Sequence, residues 1–244
     1  MRSLTDNWLI PRSWRLVLLG CLLMAPVGAL GAQEFRNGGE VRGRVVVTRA
    51  EDTEQYMPID RYGTHRPSVT GSQTSTAHIS AVRLSEKAVV FLEGKAFKAQ
   101  RFTPPLVHPV LDQKDLAFHP QVLPIVVGTT VDFPNRDNLF HNVFSYSQPR
   151  EFDLGRYPTG ESRSVQFDET GIVRVYCDIH AQMNATVLVL DNPYFVMPTD
   201  DGTYSIKDVP EGSYTIKFWY GREVVESREI SVKNGEVVTV NFTH

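Results

Sequence analysis

Tyr176-Cys177-Asp178-Ile179-His180-Ala181-Gln182-Met183 sets a thiol, an imidazole and a thioether in the spacing Cys-x2-His-x2-Met. A second imidazole stands upstream in Phe140-His141-Asn142-Val143-Phe144. Thiolate and thioether suit Cu(I), whereas imidazole suits both Cu(I) and Cu(II), so the set fits a mononuclear copper ion that changes oxidation state. His141, Cys177 and His180 would make the trigonal plane, with Met183 as the weak axial donor.

Each of these residues also has an ordinary structural role to fill. Cys177 suits a buried thiol, Met183 suits core filling, and His141 suits a hydrogen-bonded strand histidine. Their joint spacing is what points to a metal. A structural zinc site would use further thiolates or imidazoles rather than a thioether. A Cys-His nucleophile pair leaves Met183 and the second histidine without a purpose. A binuclear copper site needs a second cysteine, and the only other one, Cys21, lies in the N-terminal segment.

That segment reads as an export signal over 1–32. Arg2, Arg12 and Arg15 precede an apolar run at 16–25, Pro26 breaks it, and Ala29-Leu30-Gly31-Ala32 supplies small residues for cleavage. The run is short for a membrane span, so the mature chain is expected to have none, with an uncleaved membrane anchor as the alternative. Leu18-Leu19-Gly20-Cys21 faintly resembles a lipoprotein box, but an apolar run follows the cysteine, which disfavours lipid anchoring. The expected location is periplasmic or otherwise exported. A lone exported thiol needs a reason, because exported cysteines are normally paired. Metal ligation supplies one.

The elements that position these donors read as strands. Short apolar runs are separated by glycine, proline and polar turns, and no stretch past the leader keeps a 3.6-residue period. The fold class is therefore all-β. Strands are expected at 41–48, 88–92, 122–127, 130–133, 141–146, 162–167, 171–177 and 186–190. Alternation along 171–177 puts Val173, Val175 and Cys177 on one face, with Arg174 and Tyr176 on the other. The thiol then ends a core-facing row. Residues 49–85 form a long polar excursion.

Beyond residue 190, turns at Asp200-Asp201-Gly202 and Pro210-Glu211-Gly212 bracket alternating Tyr204/Ile206 and Tyr214/Ile216/Phe218. A final hairpin is expected across Asn234-Gly235. These readings divide the chain at 33–190 and 191–244. The tail is small for independent folding, so it is expected to pack on the first domain or share its last strand.

Residues 131–190 resemble the cupredoxins, the small blue copper proteins that include plastocyanin, pseudoazurin and amicyanin. The likeness lies in Val131-Asp132-Phe133-Pro134-Asn135-Arg136-Asp137, in His141-Asn142-Val143-Phe144, and in Gly171-x4-Tyr176-Cys177-x2-His180-x2-Met183. It implies an eight-stranded Greek-key β-sandwich with one type-1 copper at one end and Asn142 tying the two ligand loops together. It also offers Tyr176 as an electron route, with a packing aromatic as the alternative. Ile179 and Ala181 stand where amicyanin-like loops carry proline, and Ala185 where they carry glycine, which leaves loop stiffness and redox potential open. The tail is similar to transthyretin-like or carboxypeptidase-regulatory-like β modules in Asp201-Gly202-x-Tyr204-x-Ile206-x-Asp208-Val209-Pro210-x-Gly212-x-Tyr214-x-Ile216. That similarity implies a non-catalytic module, and the combined layout resembles methylamine-utilisation-like proteins.

The expected function is single-electron transfer between redox protein partners. Copper trafficking or storage, and a β-sandwich interaction protein with a secondary copper site, are the alternatives. No Met-rich or His-rich tract favours copper loading. An enzyme is not expected, since a closed four-donor site leaves no open position for substrate. A net charge of −3 gives no reason to expect nucleic acid as a partner. His65, His78, His108 and His119 receive no role.

Overall fold

The computed structural model of the chain describes residues 38–48, 83–98 and 100–244. The expected leader, Cys21, His65, His78 and nearly all of the polar excursion lie outside the described residues. β1 (Gly39–Val46) and β2 (Ala88–Glu93) come first, with the short helices α1 (Leu84–Lys87) and α2 (Lys95–Lys98) beside the second. The hairpin β3 (Asp112–Lys114) and β4 (Ala117–His119) precedes β5 (Val122–Val126), β6 (Thr129–Pro134), β7 (His141–Ser147), β8 (Arg150–Tyr157), β9 (Ser162–Phe167), β10 (Gly171–Tyr176) and β11 (Asn184–Leu190). Then follow β12 (Phe195–Val196), β13 (Thr203–Val209), β14 (Gly212–Tyr220), β15 (Glu223–Val232), β16 (Val237–Thr239) and β17 (Phe242–Thr243). The all-β expectation is met: the described chain is a β-sandwich protein with only single-turn helices.

Two layers enclose the first core. One is the sheet β5-β11-β10-β7-β8, the other the pair β6-β9. Inward residues alternate along the strands: Val131 and Phe133, Val165 and Phe167, Val173 and Val175 are buried together, and Cys177 and Met183 belong to the same cluster. β8 was not expected from sequence. It is an edge strand whose charged residues alternate with Phe152 and Leu154, and Gly155 sits at φ 64°. Its polar face hides the pattern of a half-buried strand.

The second core lies between the sheet β12-β2-β14-β15 and a sheet in which β1 pairs with β13, β16 and β17. This pairing departs from the division at residue 190. β1 lies antiparallel to β13 and parallel to β16 and β17, and β2 lies between β12 and β14. Strands from before the copper-motif segment therefore complete the C-terminal sandwich, and the first sandwich is inserted between them. A tail of this size has too little apolar surface to form a core alone. Val41, Val45, Val90 and Leu92 join Tyr204, Ile216, Phe218 and Phe242 to make one.

The hairpin expected across Asn234-Gly235 does not form. The turn is present, with Gly235 at φ 72°, but β16 crosses to the other sheet and runs beside β1. The approach is close enough that a Cβ at Gly43 would run into the Val240 carbonyl.

β2 and β11 explain their own continuous apolar runs. One face of each lines its own core. The other faces meet in a third cluster, where Val89, Phe91, Leu188, Leu190, Val122 and Trp219 fuse the two sandwiches. A strand apolar on both faces is one buried on both faces. Arg174 spans the same seam: its guanidinium sits 5.7 Å over the Trp219 ring and donates to the Thr186 hydroxyl at 2.6 Å and the Arg222 carbonyl at 2.6 Å. Trp219→Ala should cost about 3–5 kcal/mol of stability, the usual toll of a buried Trp truncation, read by urea unfolding. A loss below about 1 kcal/mol would contradict the seam.

At the β13 entry turn, Asp201 accepts from the Thr199 hydroxyl, the Thr203 amide at 3.1 Å and the Thr203 hydroxyl at 2.9 Å. These donors hold its carboxyl down to about 2. A depressed carboxylate contributes stability that is complete above its ordinary value near ~4 and is lost as pH falls toward the folded value. Unfolding followed from neutral to acid pH should show that loss below about pH 4, and Asp201→Asn should flatten it.

Candidate metal centre

β10 delivers the thiol as alternation requires. Val173 and Val175 are fully buried, Cys177 is 4% exposed, and the row ends at its Sγ. The loop that follows closes on itself: the Met183 amide donates to the His180 carbonyl at 2.9 Å, and the Cys177 amide to the Met183 carbonyl at 3.2 Å. Met183 is thereby returned to the core, where it is fully buried in the cluster that holds Cys177. His141 opens β7 and is fully buried, while His180 is half-buried.

The structure brings three of the four expected donors to one point. His141 Nδ1 and His180 Nδ1 are 3.0 Å apart, and Cys177 Sγ is 3.9 Å from each. Among the described residues this is the one group of its kind. Those spacings let His141, Cys177 and His180 hold one ion together at ordinary bond lengths of about 2.0–2.1 Å to nitrogen and about 2.3 Å to sulfur. The nitrogen pair carries a further demand. Two imidazole lone pairs at 3.0 Å repel unless a proton or a cation lies between them.

Asp137, to which sequence reading gave no role, decides the His141 tautomer. Its Oδ2 lies 2.9 Å from His141 Nε2. A carboxylate only accepts, so Nε2 carries the proton and the Nδ1 lone pair faces Cys177 and His180. Burial works against ionising Asp137, but the Leu116 amide, the His141 imidazole and the Asp115 amide outweigh it and hold its carboxyl below the usual range. The signal in sequence was a carboxylate four residues before a ligand histidine, legible only once that histidine is placed.

The loop around Asp137 is itself pinned. Buried Asn135 donates to the Leu139 carbonyl at 2.7 Å and the Tyr157 carbonyl at 3.1 Å, and accepts from the Asp137 amide at 3.0 Å. Beneath it, the Tyr157 hydroxyl donates to the Phe133 carbonyl at 2.9 Å and accepts from Gln113 at 2.6 Å. Burial pushes the Tyr157 phenol up, so it stays neutral beside the thiol.

Asn142 ties the two ligand loops, as the resemblance implied. Its Oδ1 accepts the Asp178 amide at 2.8 Å. Tyr176 pairs with Phe144 across β10 and β7, with ring centroids 5.9 Å apart. His108 and His119 are engaged elsewhere, with Asp132 at 3.0 Å and Glu86 at 3.3 Å.

The site's donor group and a family match suggest the same metal. Residues 107–190 match the copper binding proteins, plastocyanin/azurin family. The matched span contains His141, Cys177, His180 and Met183 and supports a cupredoxin domain, and with the His-Cys-His group it points to copper. Similar solved structures include a copper-containing nitrite reductase from Thermus scotoductus SA-01, at 26% identity over 40% of this chain with a TM-score of 0.34. The chain spans 26% of that protein's length. An amicyanin variant in the Cu(I) state matches at 24% identity over 33% of this chain and 80% of its own, with a TM-score of 0.32. A purple cupredoxin from Nitrosopumilus maritimus matches at 26% identity over 33% of this chain and 96% of its own, with a TM-score of 0.30. No curated protein matches the chain.

Asn142→Ala should cost about 1–3 kcal/mol, because it strands the Asp178 amide and frees one ligand loop from the other. Urea unfolding of the metal-free protein checks this, and Asn142→Asp, which keeps an acceptor, should lose less.

Proposed function

We propose that the chain is a type-1 copper protein that shuttles single electrons between redox partners in the periplasm. The observation that carries this reading is the convergence of His141 Nδ1, His180 Nδ1 and Cys177 Sγ at 3.0–3.9 Å, with Met183 buried in the same cluster. His141, Cys177 and His180 would hold the metal, with Met183 as a further sulfur donor. Bound there, copper supplies one-electron chemistry between Cu(I) and Cu(II).

The chain's own part is to hold the donors still and keep water from them. Cys177 and Met183 are anchored by the loop's backbone bonds, and His141 by the β7 strand and Asp137. A site that need not rearrange between oxidation states exchanges electrons with little structural cost. His180 is the donor with a solvent-facing edge, and Leu139, Phe140 and Ile179 beside the ligands are 48%, 58% and 38% exposed. That apolar rim suits brief docking of a redox protein. Four protein donors leave no coordination position for substrate, so the chain acts as a carrier and not an enzyme.

The periplasmic assignment rests on the leader-like segment at 1–32 and the unpaired Cys177. Among the described residues, no helix is long and apolar enough to cross a membrane. The second sandwich is read as a transthyretin-like or carboxypeptidase-regulatory-like packing module.

One equivalent of Cu(II) added to the purified protein should produce an intense visible thiolate-to-copper band and a type-1 EPR signal, both reversibly lost on reduction. Cys177→Ser should abolish the band. A colourless copper complex, or a band that survives that substitution, would refute the reading.

A further inference from the structure

The turn between β3 and β4 adopts a costly backbone. Asp115 and Leu116 both lie in the left-handed region, at φ 55° and 59°, and leucine meets steric resistance there that glycine would not. What this conformation accomplishes lies at its amides. The Asp115 N–H donates to Asp137 Oδ1 at 2.6 Å, and the Leu116 N–H to Asp137 Oδ2 at 2.9 Å. Oδ2 also accepts the His141 Nε2–H at 2.9 Å.

Three N–H donors thus converge on two carboxylate oxygens. An ionised carboxylate has acceptor capacity for all three, whereas a carboxamide would turn an NH2 group toward one of them. The Asp137 backbone is fixed as well, since the Thr159 hydroxyl donates to its carbonyl at 2.6 Å. The hairpin carrying the turn is docked on the first sandwich through buried Leu111 and Phe118. Asp137 is therefore held rigidly by groups other than the histidine it orients.

We propose that Asp137 is the positioning residue of the copper centre: braced by the left-handed β3–β4 turn, it holds His141 as the Nε2–H tautomer, aims Nδ1 at the metal and sets a negative charge behind that ligand. The inference rests on the copper reading above. Its consequence is electronic as well as structural. A carboxylate hydrogen-bonded to an imidazole raises the basicity of the opposite nitrogen, and its charge favours the more positive metal state. Asp137 thereby biases the centre toward Cu(II).

The test compares the wild-type protein with Asp137→Asn and Asp137→Glu. Asp137→Asn should weaken Cu(II) binding about 10–100-fold, the usual effect of removing such a partner, with a smaller loss for Cu(I). The reduction potential then rises by about 59 mV for each tenfold difference, and the Cu(II) EPR parameters shift. Asp137→Glu, which restores the charge, should bring the potential part of the way back. Asp137→Asn that lowers only thermal stability, with potential and EPR signal unmoved, would show a structural brace and overturn the proposal.

Proton NMR of the wild-type Cu(I) protein keeps the question decidable if the variants do not fold. The His141 Nε2 proton should be shifted downfield and exchange slowly with water, and a fast-exchanging proton overturns the proposal. A wild-type protein with no thiolate-to-copper band sinks the copper reading and this inference together. A normal wild-type band with an unmoved Asp137→Asn potential sinks this inference alone.

Discussion

The centre depends on holding donors that are far apart in the chain at ligand spacing before any metal arrives. Cys177 and His141 are 36 residues apart in sequence, yet their donor atoms lie 3.9 Å from one another. Two neighbouring strands do this. β7 and β10 pair through Tyr176 and Phe144, and Asn142 bonds across from the first histidine to the residue after the cysteine. Because the sandwich core fixes both strands, the cost of gathering the donors is met during folding and not at metal binding. The same arrangement sets the two imidazole nitrogens 3.0 Å apart, where a shared proton or a cation must lie between them.

Outward from the donors, each supporting layer is also paid for by packing elsewhere in the fold. Asp137 orients His141, the β3–β4 turn braces Asp137, and buried Leu111 and Phe118 seat that hairpin on the core. Tyr157, in register with His141, closes the floor with Gln113. The second sandwich stands against the outer face of β11, through Leu188, Leu190 and Trp219. It contributes none of the donor atoms. Its effect on the site is to cover one face of the sheet from which the ligand loop springs.

Much of this was legible in the residue order. Period-two alternation placed Val173, Val175 and Cys177 on one buried face, and the Cys-x2-His spacing put Cys177 and His180 side by side in one loop. Both follow from local geometry: successive strand residues face opposite ways, and a short loop returns its residues close to where it began. Less visible were the elements whose patterns are blurred by partners. β8 carries its polar residues to an open edge, and β16 leaves the expected hairpin because β1 offers a free strand beside it. Division of the chain at residue 190 failed to anticipate strand exchange for the same reason. Composition changes along the chain, but strand pairing connects segments regardless of their order.

The sequence by itself determined the all-β class, the pairing of Cys177 with His180 in one loop and the inward direction of the thiol, since these depend on residue chemistry and on spacings of a few residues. Only the tertiary structure decided that β1 and β2 complete the C-terminal sandwich, that Trp219 and Arg174 join the two bodies, and that Asp137 sets the tautomer of His141. The first two are contacts between segments whose separation in the chain carries no information about their separation in space, and the third depends on the distant β3–β4 turn that holds Asp137. They exist because unpaired strand edges, apolar faces and buried N–H groups must each find a partner somewhere in the folded chain.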